Sequence, residues 1–282
     1  MTKLKTYLTD RFPLVPLAIY SLATGLGINS AFNQIDLQKV VITTLLYLSF
    51  LLHLRVLDEF KDYAYDNLNH PDRPVQTGLI TLGELKIVGI LNLVVLFLLA
   101  YFASPPQVIL LLIIALLYTI LMFKEFFAPE FLRSRPLLYL VTHQLVLIPL
   151  FLFFYSLFNK HAWTINDLSR SSRLFYTILP ATLIEIGRKL KNRYNDKGEK
   201  TSDTYAYWWG EKNSLLAFAA LVLVAGLLSL YITGFNPLFS FLIIASALII
   251  FAGSFYYQGF LIEKNMLITS FYTLFLLLSL LL

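Results

Sequence analysis

Asp58, Asp62 and Asp66 recur every fourth residue in "VLDEFKDYAYDNLNHPDRPVQTG", residues 56–78. On a helix that spacing stacks three carboxylates on one face. Like charges so placed repel by about 0.2–0.5 kcal/mol per pair, and more where the medium is less polar than water. A divalent cation reverses the sign. Mg²⁺ is held by one or two carboxylates and completed by the phosphates of a substrate. The competing reading is a solvated helix end, with Arg55 reaching Asp58 and Glu59 and with Lys61 among the acids.

A second polar stretch, "IEIGRKLKNRYNDKGEKTSDTYAYWWG", covers residues 184–210. Glu185, Asn192 and Asp196 stand at i, i+7 and i+11, so one helical face could present them together. Arg188, Lys189 and Lys191 fall at the expected helix end. Several donors at once could grip a diphosphate; the plainer role is dipole compensation and anchoring at a membrane face.

The rest of the chain explains why these polar stretches stand out. Hydrophobic residues make up 58% and charged residues 14%, where soluble domains run nearer a quarter charged. Mean hydropathy is +0.71. Apolar runs long enough to cross a hydrocarbon core give nine expected spans, at 13–31, 38–57, 84–102, 106–123, 137–158, 173–191, 213–233, 237–257 and 265–282. The N-terminus is basic then apolar with no small-residue cleavage site, so the first span is expected to be retained. "TLGE" (Thr81 to Glu84) and "SPPQ" (Ser104 to Gln107) are helix starts with capping boxes, and "FNP" before Leu238 is a tight turn. Pro16, Pro149 and Pro180 fall inside spans, where neighbours can re-satisfy freed carbonyls.

With the N-terminus in the cytoplasm and the C-terminus outside, eighteen of the 22 Lys and Arg residues lie inside, as positive-inside topology requires. That accounts for a pI near 9.2 without a nucleic-acid partner. The expected fold is all-α, a polytopic membrane protein of nine helices around a central cavity, with cytoplasmic cap segments after helices two and six. There is no cysteine, hence no disulfide or thiolate site, and the four histidines never fall at zinc-binding spacing.

After Asp66 comes Asn69, Pro71, Arg73, Pro74, Gly78 and Thr81. Together with the aspartates this resembles the UbiA superfamily of intramembrane prenyltransferases, which carries N/D-x-x-x-D-x-x-x-D followed by N-x-P-x-R-P-[ILV]-x-x-G-x-[IL]-[ST]. Asp58 stands where the family often has Asn. The resemblance is sharp over residues 50–85 and architectural elsewhere. It implies one domain over residues 1–282, in a membrane of prokaryotic type. The implied reaction is Mg²⁺-dependent transfer of a prenyl group from a polyprenyl diphosphate to a lipophilic or aromatic acceptor.

The resemblance also assigns roles. Asp58, Asp62 and Asp66 hold metal, and Arg73 supplies a donor. Tyr118 and Lys124, near the end of the fourth span, are similar to a family tyrosine and lysine, at a spacing of six instead of four. Thr204 and Gly210 fit the end of the second family loop. Its usual D-x-x-x-D is altered here, leaving Asp196 as the expected second metal ligand with Glu185 and Asn192, and Arg188 and Lys189 as diphosphate donors. His143, one turn after Tyr139 in the fifth span, is an expected acceptor-pocket residue, since polar groups within a span are costly; a hydrogen bond to a neighbouring helix is the alternative. His53 is expected to be structural. Two other functions fit the same residues: a terpene cyclase, which needs no acceptor, and a transporter, which would want its acids at mid-membrane.

Overall fold

The computed structural model of the 282-residue chain describes residues 3–30, 36–159, 163–165 and 178–232, and positions 237, 240–242, 244, 245 and 248. The described residues are mainly helical, with non-helical stretches at 70–81 and 188–204. Among the described residues the only strand-like pairing is an isolated bridge between Tyr194 and Lys200. The chain divides into two compact units, one of residues 1–25 and 36–165, the other of residues 26–35 and 166–282.

α1 (Lys3–Arg11) and α2 (Leu14–Ser30) meet at a 58° bend, where Pro13 offers no amide hydrogen to continue the helix. Next, α3 (Leu37–Lys61) starts from Asp36, whose Oδ1 accepts from the amides of Gln38 and Lys39. A short helix, α4 (Tyr63–Asn69), follows at once. The expected capping box opens α5 (Leu82–Ala103): Thr81 Oγ1 accepts from the Glu84 amide at 3.1 Å, and Glu84 Oε2 accepts from the Thr81 amide at 2.8 Å.

The second expected box is different. α6 (Pro106–Phe123) begins on proline, and the Ser104 hydroxyl donates back to the Ala100 carbonyl at 2.7 Å. Ser104 therefore closes α5 and leaves α6 uncapped by a side chain. Beyond α6 come α7 (Pro129–Arg133), α8 (Pro136–Gln144) and α9 (Leu147–Asn159). The helix over the expected span at 137–158 is interrupted at Leu145 and Val146, while Pro136–Leu157 remains one apolar span. Pro149 lacks an amide hydrogen and its ring crowds the carbonyl of Leu145, four residues back.

α3 carries Asp58 and leads directly into Asp62 and Asp66, and polar clasps hold it among its neighbours. Ser49 Oγ donates to Asn92 Oδ1 at 2.8 Å, and Asn92 Nδ2 returns a bond to the Ser49 carbonyl at 2.9 Å, joining α3 to α5. On the same seam a Cβ at Gly89 would stand 3.1 Å from Val56 Cγ1, so glycine permits the close approach. His53 Nε2 meets Thr119 Oγ1 at 3.0 Å, tying α3 to α6 and giving His53 its structural role. Tyr47 packs against Phe151 and Phe154 of α9, each ring pair 6.1 Å apart. Ile87, Ile90, Leu91 and Val94 on α5 remain exposed, as a lipid-facing surface requires.

The second unit holds α10 (Ile178–Gly187), α11 (Tyr205–Trp209) and α12 (Glu211–Ile232). Thr204 caps α11 by accepting from the Tyr207 amide at 3.2 Å, and Gly210, at φ +77°, turns the chain into α12. The left-handed φ there suits glycine.

Five of these stretches are long and apolar enough to cross a bilayer, and the bent α1–α2 pair makes a sixth. They match the expected spans one to five and seven. The described part of the sixth span stops at Gly187, earlier than expected. The last two spans and the "FNP" turn lie largely outside the described residues.

Candidate functional site

The helix carrying the aspartates pauses at Asp62, where φ −93° and ψ 4° end α3. Its hydrogen bonding does not pause. The Asp62 amide donates to the Asp58 carbonyl at 2.9 Å, the Asp66 amide to the Asp62 carbonyl at 2.8 Å, and the His70 amide to the Asp66 carbonyl at 2.8 Å. The three acids therefore keep their one-turn spacing through the break. They differ in environment: the Asp58 side chain is 42% exposed, the Asp66 side chain 2%.

The loop after α4 is pinned from below. Val75 and Ile80 are buried in one apolar cluster with Tyr7 of α1 and Leu85 of α5. The Ile80 amide donates to the Pro74 carbonyl, and Gly78 takes φ +74°, a left-handed turn open to glycine. This fixes Arg73, whose guanidinium pairs with Asp66 Oδ1 at 2.5 Å.

A second arginine arrives from α1. Arg11 Nε donates to Glu59 Oε1 at 2.9 Å, and its NH2 group lies 3.8 Å from Asp66 Oδ2. Arg55 donates to the same Glu59 oxygen at 2.7 Å. Arg55 therefore serves Glu59, while Lys61 attends Asp58 at 3.8 Å. Glu59 is fully buried. Three guanidinium groups thus surround two buried carboxylates, and removing either carboxylate leaves its guanidinium partners uncompensated.

The Asp62 side chain makes no hydrogen bond or ion pair with a described residue. Burial is the main influence on its carboxyl, pushing its pKa up from 3.8 to about 6. Asp58 and Asp66 push the same way, and Lys61 and Arg55 oppose them. Among the described residues no three His, Asp or Glu side chains converge as a metal cage. What Asp62 and Asp66 offer is narrower: two carboxylates one turn apart, one without an ion pair and one whose Oδ2 accepts no hydrogen bond. That suits a cation held by one or two carboxylates with the remaining ligands from a substrate.

A third feature adjoins the motif. Glu125, Phe126 and Phe127 follow α6 with φ of 48°, 52° and 59°. None is glycine, and each such residue costs about 1–2 kcal/mol. The turn swings Glu125 inward until it is 4% exposed. Its Oε1 accepts from Arg133 at 3.2 Å and lies 3.9 Å from Lys61 Nζ. Lys61 Nζ also donates to the Tyr139 hydroxyl at 3.1 Å. His143 stacks on Tyr139 with ring centroids 3.9 Å apart, its Nδ1 2.8 Å from the Tyr139 carbonyl, while Phe126 packs edge-on against both His143 and Tyr118.

Tyr118 and Lys124 are not brought together. The Tyr118 hydroxyl donates to the Thr142 carbonyl at 2.8 Å. Lys124 is exposed, with Nζ over the Phe123 ring, because α6 ends at Phe123 and the left-handed turn starts directly after it.

In the second unit the expected shared face does not form. α10 ends at Gly187, so Asn192 and Asp196 lie beyond it. Glu185 is held by Arg188 at 2.6 Å and Lys189 at 2.7 Å. Asn192 donates from its amide and its Nδ2 to Glu211 Oε1, both at 3.1 Å. Asp196 is exposed in a tight hairpin, where Asn195 Oδ1 accepts from the amides of Lys197 and Glu199 and Gly198 takes φ +75°. Asn195-Asp196-Lys197-Gly198 is a turn signal, and it prevails over the helical spacing. Asp203, unassigned by spacing, pairs with Arg193 at 2.7 Å.

Arg11, Glu125 and the position of Lys61 were beyond sequence reasoning. Arg11 and Glu59 lie 48 residues apart with no local pattern joining them. The turn at Glu125 lacks the glycine that would mark it.

No protein-family model and no curated protein sequence matches the chain. Two solved structures are similar in fold. One is a UbiA homologue from Aeropyrum pernix K1, in its apo form: TM-score 0.68, 15% identity, covering 93% of this chain and 96% of that one. The other is a digeranylgeranylglyceryl phosphate synthase studied in membranes: TM-score 0.54, 21% identity, covering 100% of this chain and 98% of that one. The chain therefore shares the helical fold of these two structures. At this level of identity the likeness speaks to fold, and the chemistry must be argued from the residues.

Proposed function

We propose that the protein is an intramembrane prenyltransferase. In this reading it moves a prenyl group from its diphosphate to a lipophilic or aromatic acceptor, with Mg²⁺ as cofactor. The observation that carries the reading is the pairing of Asp62 and Asp66, one turn apart and with Arg73 on Asp66, at the end of an apolar helix of this fold. Asp62 and Asp66 would hold Mg²⁺, with Asp58 the outermost acid of the set. When bound, the ion neutralises charge on the departing diphosphate. Arg73 would supply fixed donors to the same oxygens, and a bidentate guanidinium suits them.

The allylic C–O bond breaks with its electron pair leaving on the diphosphate. A nucleophilic atom of the acceptor bonds to the allylic carbon and gives up its proton to the departing diphosphate. Apolar helix faces take the isoprenoid tail, at about 0.8 kcal/mol per buried CH₂. The charged loop faces the cytoplasm in this reading, and labelling of a cysteine placed near Asn69 from outside intact cells should fail. The main test uses purified protein with Mg²⁺ and prenyl diphosphates of several lengths. Diphosphate release and prenylated product are expected with a suitable acceptor. Absence of both across chain lengths and acceptors would falsify the reading.

A further inference from the structure

We propose that Lys61 is a diphosphate-binding residue, supplying the lysine donor that sequence resemblance assigns to Lys124. The proposal rests on the prenyltransferase reading above and names a binding group within it.

Lys61 is the last residue of α3, and its side chain is 10% exposed. Its ammonium has three N–H donors and makes one hydrogen bond, to the Tyr139 hydroxyl. Asp58 and Glu125 stand at 3.8 and 3.9 Å, near enough for attraction and too far for hydrogen bonds. A buried charged donor left short of acceptors is costly, so this placement calls for a further acceptor. An anion brought to the aspartate motif comes within reach, because Nζ is already beside Asp58, the most exposed of the three acids.

The surroundings hold Lys61 in that position. Glu125 is directed toward it by three successive left-handed residues, a conformation that persists only where its surroundings compel it. The Tyr139 hydroxyl fixes the ammonium from the other side, and His143 stacks behind the Tyr139 ring. Lys124, in contrast, is exposed and directed over Phe123.

The test is binding of inorganic diphosphate with Mg²⁺ to the full-length protein in detergent, read as protection against thermal unfolding, which rises with ligand concentration relative to Kd. Wild type should be protected. In Lys61→Met the half-protecting diphosphate concentration should rise roughly 10- to 100-fold, the scale of a lost charge-assisted hydrogen bond. Lys61→Arg should restore part of the binding. Tyr139→Phe, which deletes only a hydroxyl, should show a smaller rise in the same direction and serves as the test should Lys61→Met not fold. An unchanged titration in folded Lys61→Met, or in Tyr139→Phe, overturns the proposal. So does a loss in Lys124→Met equal to or above that in Lys61→Met. If wild type itself gains no protection and turns over no prenyl diphosphate, the prenyltransferase reading falls with it. Turnover by wild type with unchanged diphosphate binding in Lys61→Met removes the role of Lys61 alone.

Discussion

The polar segment after α3 and the polar segment after α10 use similar residues in opposite ways. After α3 the acids are drawn inward: Glu59 and Asp66 are buried, and Arg11, Arg55 and Arg73 come from three separate elements to meet them. After α10 the charges are settled locally. Glu185 is held by Arg188 and Lys189 within one turn, Arg193 pairs with Asp203 across a hairpin, and Asp196 stays exposed. Ionic cost separates the two. A buried carboxylate commits its partners, so position is conserved through the network. A pair near water is screened and commits little. The first segment is built to keep charges in fixed positions, the second to fold a loop.

The sharpest way to break this contrast is Glu59→Ala. It leaves Arg11 and Arg55 without their shared acid and should cost about 3–5 kcal/mol of stability. Denaturant or thermal unfolding measures this, with Glu185→Ala alongside. Equal losses in the two variants would erase the distinction.

Activity gives the next contrast. Asp62→Ala should lower turnover by about 10²–10³-fold, the scale of removing one group that stabilises developing charge, while expression and melting stay near wild type. Asp196→Ala should lose much less. A loss as deep in Asp196→Ala would restore a two-segment metal site.

Acidity sharpens the picture within the first segment. Because the Asp62 carboxyl titrates near 6 in the folded protein against 3.8 ordinarily, the fold binds that proton more tightly than the unfolded chain does. The associated stability is fully present below about 3.8 and is lost as pH rises through about 6. Metal binding runs the other way, since it needs the carboxylate. Apparent Mg²⁺ affinity should fall about tenfold by pH 5, one unit below that pKa, and Asp62→Asn should flatten the dependence. A Mg²⁺ titration at several pH values reads both.

The smallest effect belongs to the hairpin. Asp203→Ala opens a partly exposed pair with Arg193 and should cost up to about 1 kcal/mol, with little change in diphosphate release. A loss of several kcal/mol would mean that the second segment is as tightly built as the first.

What could be read from the chain followed the range of the forces involved. The Thr81–Glu84 box and the register of the aspartates rest on contacts within four residues, and both are found. The interruption at Leu145 and Val146 also has a local cause, the ring of Pro149 crowding a carbonyl four residues back. The helical face through Glu185, Asn192 and Asp196 was the wrong choice between two local signals, because the Asn-Asp-Lys-Gly turn outweighs a periodicity that only three residues support. Arg11 on Glu59, and Glu125 on Lys61, depend on elements meeting in space, and no periodicity carries that.

The Ser49–Asn92 clasp and the Gly89–Val56 contact have a consequence for how the chain enters its membrane. Positions 49 and 56 of α3 face 92 and 89 of α5, so the two helices run antiparallel as a hairpin. In hydrocarbon, an Asn92 amide parted from Ser49 would be left without a partner. The two helices therefore gain by inserting together, as one unit, during synthesis. Glu59 in the last turn of α3, and Asp66 and Arg73 between the two apolar helices in the chain, sit at the closed end of that hairpin.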